Sequence, residues 1–191
     1  MRFLALIGAL GIVVAIGAAV YFFGGFYSVA GTTEDPAIVH WALVKVRTVS
    51  IVRHAQDTPP ANLNDPAMVQ TGARKYAEHG CATCHGAPGV KWAKFSEGLH
   101  PDPPDLKEVA EALTLSQLFW VIKNGINMTG MPSFALAGTK DEAIWSIVAF
   151  LKKLPNVSEA DYKAWTAPSA AAPPPAANPS AAAPAPPAEN K

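Results

Sequence analysis

Cys81-Ala82-Thr83-Cys84-His85 decides how this chain is read. It is a C-x-x-C-H run, the attachment pattern of a c-type haem. Two thiols three positions apart can each form a thioether to one haem vinyl group, and the adjacent histidine reaches the iron from one side of the ring. The chain of 191 residues holds only these two cysteines, so no other cysteine site competes.

Two other chemistries use a C-x-x-C pair. A structural zinc site needs four ligands, commonly as two separated pairs. No second C-x-x-C exists, and His79, His85 and His100 do not form an H-x(3–5)-H pair. A redox dithiol of the thioredoxin kind follows a strand in a βαβ setting, and the flanking residues carry no such pattern.

The residues before the motif have helical spacing. Asp65 suits an N-cap and Pro66 the first helical position. Met68, Val69, Ala73, Tyr76 and Ala77 recur along one face. Gly80 then stops the helix just ahead of Cys81. A second helix is expected from Thr114, where Thr114-Leu115-Ser116-Gln117 fits a capping box and Gly125 ends the apolar stripe of Leu118, Val121 and Ile122. A third is expected from Thr139, with Thr139-Lys140-Asp141-Glu142 as a further capping box. Ile144, Ile147, Val148 and Leu151 supply its buried face, and Leu154-Pro155 closes it.

Between the second and third helices runs Gly125-Ile126-Asn127-Met128-Thr129-Gly130-Met131-Pro132-Ser133-Phe134. A thioether is a soft ligand that suits haem iron. Methionine also fills cores, but a glycine-rich loop beside a proline is a poor place for core filling. The residues alone leave Met128 and Met131 both open as iron ligands.

Residues 66 to 155 resemble a class I cytochrome c domain. Gly72-x-x-x-Tyr76 is similar to that family's first-helix face, which crosses the last helix near Phe150. Cys81, Cys84 and His85 match its haem motif. Pro103-Pro104-Asp105-Leu106 resembles the segment whose proline carbonyl, here that of Pro104, accepts a hydrogen bond from the ligand histidine. Thr129-Gly130-Met131-Pro132-Ser133-Phe134 resembles the axial methionine loop, which points to Met131. The resemblance implies an all-α fold around one covalent haem c, with iron ligated by His85 and Met131. The stretch Gly86–Pro103 departs from the family by its length. Inside it, Trp92 is read either as a propionate donor or as an aromatic packed under the loop.

Phe3 to Phe23 is an unbroken run of 21 apolar, aromatic or glycine residues. As a helix it spans about 31 Å, enough for a hydrocarbon core. A signal peptide has a shorter apolar run, roughly 7 to 15 residues. Ser28-Val29-Ala30 does resemble a cleavage site, but the length favours an uncleaved signal-anchor. Residues 37 to 56 carry no acidic side chain. On a helix, His40, Arg47, Ser50 and His54 share one face, while Ile38, Trp41, Ala42, Val49 and Val52 share another, flanked by Lys45 and Arg53. Such a basic amphipathic helix suits a membrane surface, with a partner subunit as the rival occupant. His40 and His54 stand about 21 Å apart along it and are read as solvated or headgroup histidines. From Thr166 onward, alanine and proline dominate, a composition that cannot bury a core.

The expected organisation is an anchor over 1–27, a linker with the interfacial helix over 28–64, the cytochrome domain over 65–157, and a disordered Ala/Pro-rich tail over 158–191. The formal net charge of zero argues against a nucleic-acid partner. There is no P-loop, G-x-G-x-x-G or G-x-S-x-G. No catalytic residue and no small-molecule substrate are expected. The resemblance implies single-electron transfer at a bacterial cytoplasmic membrane, with the haem domain on the periplasmic side. The implied donor is a quinol-oxidising complex or a dehydrogenase, and the acceptor a terminal oxidase or reductase. The chain is then either a mobile carrier docking through lysines such as Lys91, Lys94 and Lys123, or a permanent subunit of a respiratory complex. A ligand-binding haem enzyme or sensor is a third reading, and a structural subunit with a redox-silent haem a fourth.

Overall fold

The computed structural model describes residues 2–167. Among these residues the fold is all-α, with no β-sheet and a single isolated bridge between Ala87 and Val90. Its helices are α1 (Arg2–Phe23), α2 (Ala37–His54), α3 (Pro66–Glu78), α4 (Cys81–His85), α5 (Leu106–Ala112), α6 (Leu115–Asn124), α7 (Asp141–Lys153) and α8 (Glu159–Thr166). Two short 3₁₀ turns, Lys94–Gly98 and Leu154–Asn156, complete the set.

α1 buries none of its residues against the rest of the chain. At 22 residues it is about 33 Å long, and it is long and apolar enough to cross a membrane.

The core forms where α3 crosses α7. Gly72 makes that crossing close: a Cβ placed there would stand 1.8 Å from the Ser146 carbonyl oxygen and 2.9 Å from Phe150 Cβ. Only glycine lets the two backbones touch. One turn on, the Tyr76 and Phe150 rings meet at 5.3 Å between centroids. α7 is buried continuously from Ile144 to Leu151 because α3, α5 and α6 pack on it and Tyr162 of α8 stacks on Phe150. Phe119 of α6 stacks on Trp145 at 4.0 Å.

Helix starts follow local chemistry. The Asp65 carboxylate accepts from Ala67 N at 2.9 Å, with Pro66 in the first turn. At α6 the capping box is complete: Thr114 Oγ1 accepts from Gln117 N, and Thr114 N donates to Gln117 Oε1 at 2.9 Å. The box expected at Thr139 does not form. Lys140 is the N-cap of α7 and lends no side-chain cap, while Thr139 N donates to Phe134 O at 2.9 Å and closes the preceding loop. Asp141 and Glu142 instead place negative charge in the first turn of α7, where the helix dipole favours it.

The domain also runs further than the expected boundary at 157. Ser158 caps α8 by accepting from Asp161 N at 3.1 Å. Tyr162 is buried and stacks on Phe150 at 5.8 Å between centroids. The segment 158–166 is therefore packed helix rather than tail, because an aromatic on its inner face completes the α7 core. The tail expectation for 168–191 lies outside the described residues.

α2 joins this body at its C-terminal end. Ile51 is buried, His54 stacks on Trp120 of α6 at 6.1 Å, and Ser116 Oγ donates to Asp57 O at 2.7 Å. His54 thus keeps its solvent exposure and also acts as a packing contact.

Candidate functional site

α4 carries the C-x-x-C-H run as little more than one helical turn. Gly80 turns the chain from α3 into it with φ +72°, a left-handed conformation that glycine adopts without cost. Cys81, Cys84 and His85 are all half-buried. Cys81 packs against the hydrophobic core, and burial pushes its thiol up to about 12. Among the described residues, no three His, Cys, Asp or Glu side chains gather as a metal cluster.

The turn after His85 is tightly held. The buried Tyr76 hydroxyl donates to Gly86 O at 2.6 Å. Gly86 itself sits at φ +67°, with Val90 O only 3.1 Å from where a Cβ would stand. Ala93 N donates to Thr83 O at 2.8 Å, so the loop after the motif is pinned back onto it. Gly89 of that loop rests against Glu159 of α8. Sequence reasoning placed Tyr76 on a helix face but did not find its bond to Gly86. A buried tyrosine needs a hydroxyl partner, and that need was the available signal.

His85 and Pro104 come together. His85 Nδ1 lies 3.0 Å from Pro104 O. Since a carbonyl oxygen only accepts, Nδ1 carries the proton and Nε2 keeps its lone pair free. Burial pulls the imidazole below its ordinary range, with the Pro104 carbonyl opposing that shift. The neutral ring is the form that binds a metal. An open cleft of about 320 Å³ borders His85 and is lined by Trp92, Pro103, Pro104 and Lys107 among others. Met131 stands outside that lining.

The methionine loop is shaped by Gly125 and Thr129. Gly125 has φ +71°, and a Cβ there would meet Met131 O at 2.7 Å and Pro132 C at 2.6 Å. Thr129 Oγ1 donates to Ile126 O at 2.8 Å and accepts from Met131 N at 3.1 Å. Ser133 Oγ donates to Lys123 O at 2.7 Å, tying the loop to the end of α6. The two methionines face different surroundings. Met131 is half-buried against the same core as Cys81. Met128 is 81% exposed and adopts φ +59°. Leu99, from the long loop after the motif, packs on Gly130. His79, at the end of α3, meets the Phe134 ring edge-on at 5.6 Å. These two contacts tie the methionine loop to the segments flanking the cysteines.

Other expectations fare differently. Trp92 is neither packed under its loop nor enclosed: it is 55% exposed, with Nε1 donating to Glu97 Oε1 at 3.4 Å. Lys94 pairs with Glu97. Lys123 pairs with Asp141 at 2.8 Å and lies over the Phe119 ring at 5.1 Å. Of the three lysines named for docking, Lys91 alone makes no ion pair among the described residues.

A two-thiol turn with an oriented neutral imidazole, and a soft thioether on the same core, is a donor set that fits a covalently attached haem. The family model described as cytochrome C oxidase, cbb3-type, subunit III matches residues 67–151. No curated protein and no solved structure matches the chain. The matched stretch begins in α3, contains α4 with its motif, and ends in α7. With the long apolar helix α1 ahead of it, the chain is a membrane-associated, cytochrome-related protein carrying a haem-attachment-like motif.

Proposed function

We propose that this chain is a membrane-anchored, single-haem c-type cytochrome acting as an electron-transfer subunit of a respiratory oxidase complex. The observation that carries this reading is the match to an oxidase subunit across the very helices that hold the C-x-x-C-H turn. That match favours a complex subunit over a freely docking carrier, although both would perform the same electron transfer.

Cys81 and Cys84 would hold the haem through thioethers, and His85 Nε2 and Met131 sulfur would ligate its iron. When bound, the group supplies a one-electron Fe(II)/Fe(III) couple. Pro104 O fixes the imidazole by accepting from Nδ1, which orients the ring and raises its basicity. Tyr76 holds the turn that carries His85. Met131, half-buried where Met128 is exposed, is the better placed thioether. Histidine–methionine ligation favours a high reduction potential. With His85 and Met131 both holding the iron, no open position would remain for a substrate, so the role would be electron transfer rather than catalysis. In this reading α1, within residues 1–27, is the retained anchor, residues 28–64 link it to the domain, and the domain runs from residue 65 through α8. It faces the periplasm, where c-type haem is attached. Electrons would arrive from a quinol-oxidising complex or dehydrogenase and leave to the oxidase.

The test is optical. The reduced full chain should give a low-spin c-type spectrum that carbon monoxide leaves unchanged. Met131→Ala should admit carbon monoxide and lower the reduction potential, while Met128→Ala should do neither. The reverse pattern would assign the ligand to Met128. Carbon monoxide binding to the unaltered chain would instead point to a haem enzyme or sensor. Mild-detergent purification from membranes separates the two transfer roles: oxidase activity should travel with the chain if it is a subunit.

A further inference from the structure

We propose that α2 lies along an anionic lipid surface through its exposed apolar stripe, and that its docked end thereby sets the orientation of the cytochrome domain at the membrane. This rests on α1 being a membrane anchor.

The stripe is made by Ile38, Trp41, Val49 and Val52, with Lys45 at its centre and Arg53 beside it. Positions 38, 41, 45, 49 and 52 follow each other at spacings of three or four, so they share one helix face. That face runs about 21 Å. Ile38, Trp41, Val49 and Val52 are each more than half exposed. An adjoining face, about 100° round the helix, points inward: Ile51 is buried and Val44, seven residues earlier, is half-buried. The apolar stripe therefore plays no part in the contact that joins α2 to α6.

Charge and position choose the occupant. α2 contains Lys45, Arg47 and Arg53 and no acidic residue, which complements anionic headgroups. A lysine within an apolar stripe suits an interface, where its stem lies along the acyl boundary and its ammonium reaches the headgroups. Trp41 is a residue type that favours the same depth. A buried protein seam would leave the Lys45 charge to be paired.

The connection to α1 is short and folded. Tyr27 packs against Phe22 and Tyr21 at the end of α1, at 5.2 Å and 6.2 Å between centroids. Its hydroxyl donates to Asp35, immediately before the N-cap of α2. The start of α2 is thus held at the end of the membrane helix. A Cβ on Gly31 would stand 3.6 Å from Gly98 O, so this connection also touches the loop after the haem motif. Held at its start by the anchor and at its end by Ile51, His54 and Ser116, α2 acts as a strut rather than a tether.

The test uses the full haem-carrying chain in lipid nanodiscs. Val49→Cys and, as the opposite-face control, His40→Cys each add one reactive thiol, which is spin-labelled. Collision of the label with oxygen and with a water-soluble nickel chelate is then measured. Discs contain either phosphatidylcholine alone or a mixture with phosphatidylglycerol. In the mixed discs the oxygen-to-nickel ratio at position 49 should exceed that at position 40 severalfold. The difference should shrink in phosphatidylcholine alone and in the Lys45→Glu, Arg53→Glu double variant. Equal aqueous accessibility at both positions in both lipids would overturn the proposal. A label at 49 shielded from both reagents would also overturn it, since protein would then cover the stripe. Failure of the haem-carrying chain to travel with the discs would refute the anchor instead.

Discussion

Tyr76 shows how one side chain can hold a site together from behind. It is 1% exposed, and its hydroxyl satisfies Gly86 O in the turn that carries His85. Removing that hydroxyl leaves a buried carbonyl without a donor. Tyr76→Phe is therefore expected to cost about 1–2 kcal/mol in a denaturation midpoint. It should also loosen the His85 turn, visible as a weaker low-spin spectrum at elevated temperature. Burial raises the phenol pKa, so the protonated donor persists in the folded state. The sign follows from the folded value lying above the unfolded one. This stabilisation is complete below the ordinary tyrosine range, about pH 10, and is lost as pH rises through and beyond it. Unfolding scans from neutral to alkaline pH should show a shallower decline in Tyr76→Phe than in the unaltered chain. Equal slopes would mean that Tyr76 does not carry the linkage. The phenol's apolar neighbours were legible from helical spacing, but its partner ten residues away was not, because a turn's carbonyl has no sequence signature.

At the scale of elements, the α3–α7 crossing carries the domain. Gly72→Ala places a Cβ 1.8 Å from a backbone oxygen, and no side-chain rotation relieves a clash with backbone. The two helices must separate, at an expected cost of about 3 kcal/mol. Chemical denaturation reads this directly, and a loss below about 1 kcal/mol would mean that the crossing can slide. Backbone hydrogen bonding outside the helices explains why one capping box formed and another did not. At Thr114 the chain enters α6 from a connection that leaves its side chain free to cap. At Thr139 the backbone is already engaged with Phe134, so the loop closes first and the helix starts later. The two sequences, Thr-Leu-Ser-Gln and Thr-Lys-Asp-Glu, carry the same local signal, and tertiary hydrogen bonding decides between them. α8 was the converse case. Ser158 and Asp161 hold a cap, and Tyr162 an apolar position, yet the alanine-rich composition that follows outweighed them in the sequence reading.

At the scale of the whole molecule, the surface lysines separate by what surrounds them. Lys123 is held by Asp141 and by the Phe119 face, and the Asp141 contact raises its pKa. Its charge serves the fold. Lys123→Gln should therefore cost about 1 kcal/mol or less in stability and leave the salt dependence of electron transfer almost unchanged. Lys91 lies beside the His85 cleft without an ion pair among the described residues. Lys91→Gln should weaken the salt dependence of oxidation by an acidic redox partner, read by stopped-flow mixing at increasing ionic strength. An unchanged salt slope would remove Lys91 from the docking surface. The match to an oxidase subunit covers the haem-motif helices and excludes α1, α2 and α8. Of those three, α1 is long and apolar enough to cross a membrane, α2 is the proposed strut, and α8 backs the motif loop at Gly89.

The sequence by itself determined the parts whose chemistry is local. Two cysteines and a histidine one turn apart, a long apolar run and the caps at Asp65 and Thr114 depend on neighbours within a few residues. The tertiary structure alone decided the contacts that join distant segments. It engaged Lys123 internally and folded α8 onto Phe150; the family resemblance had already implied the His85–Pro104 contact and Met131, to which the structure adds a 3.0 Å distance and the half-burial of Met131 where Met128 is exposed. Each of these depends on which surfaces meet when helices pack. Packing is a property of shape across the whole domain, and no window of sequence contains it.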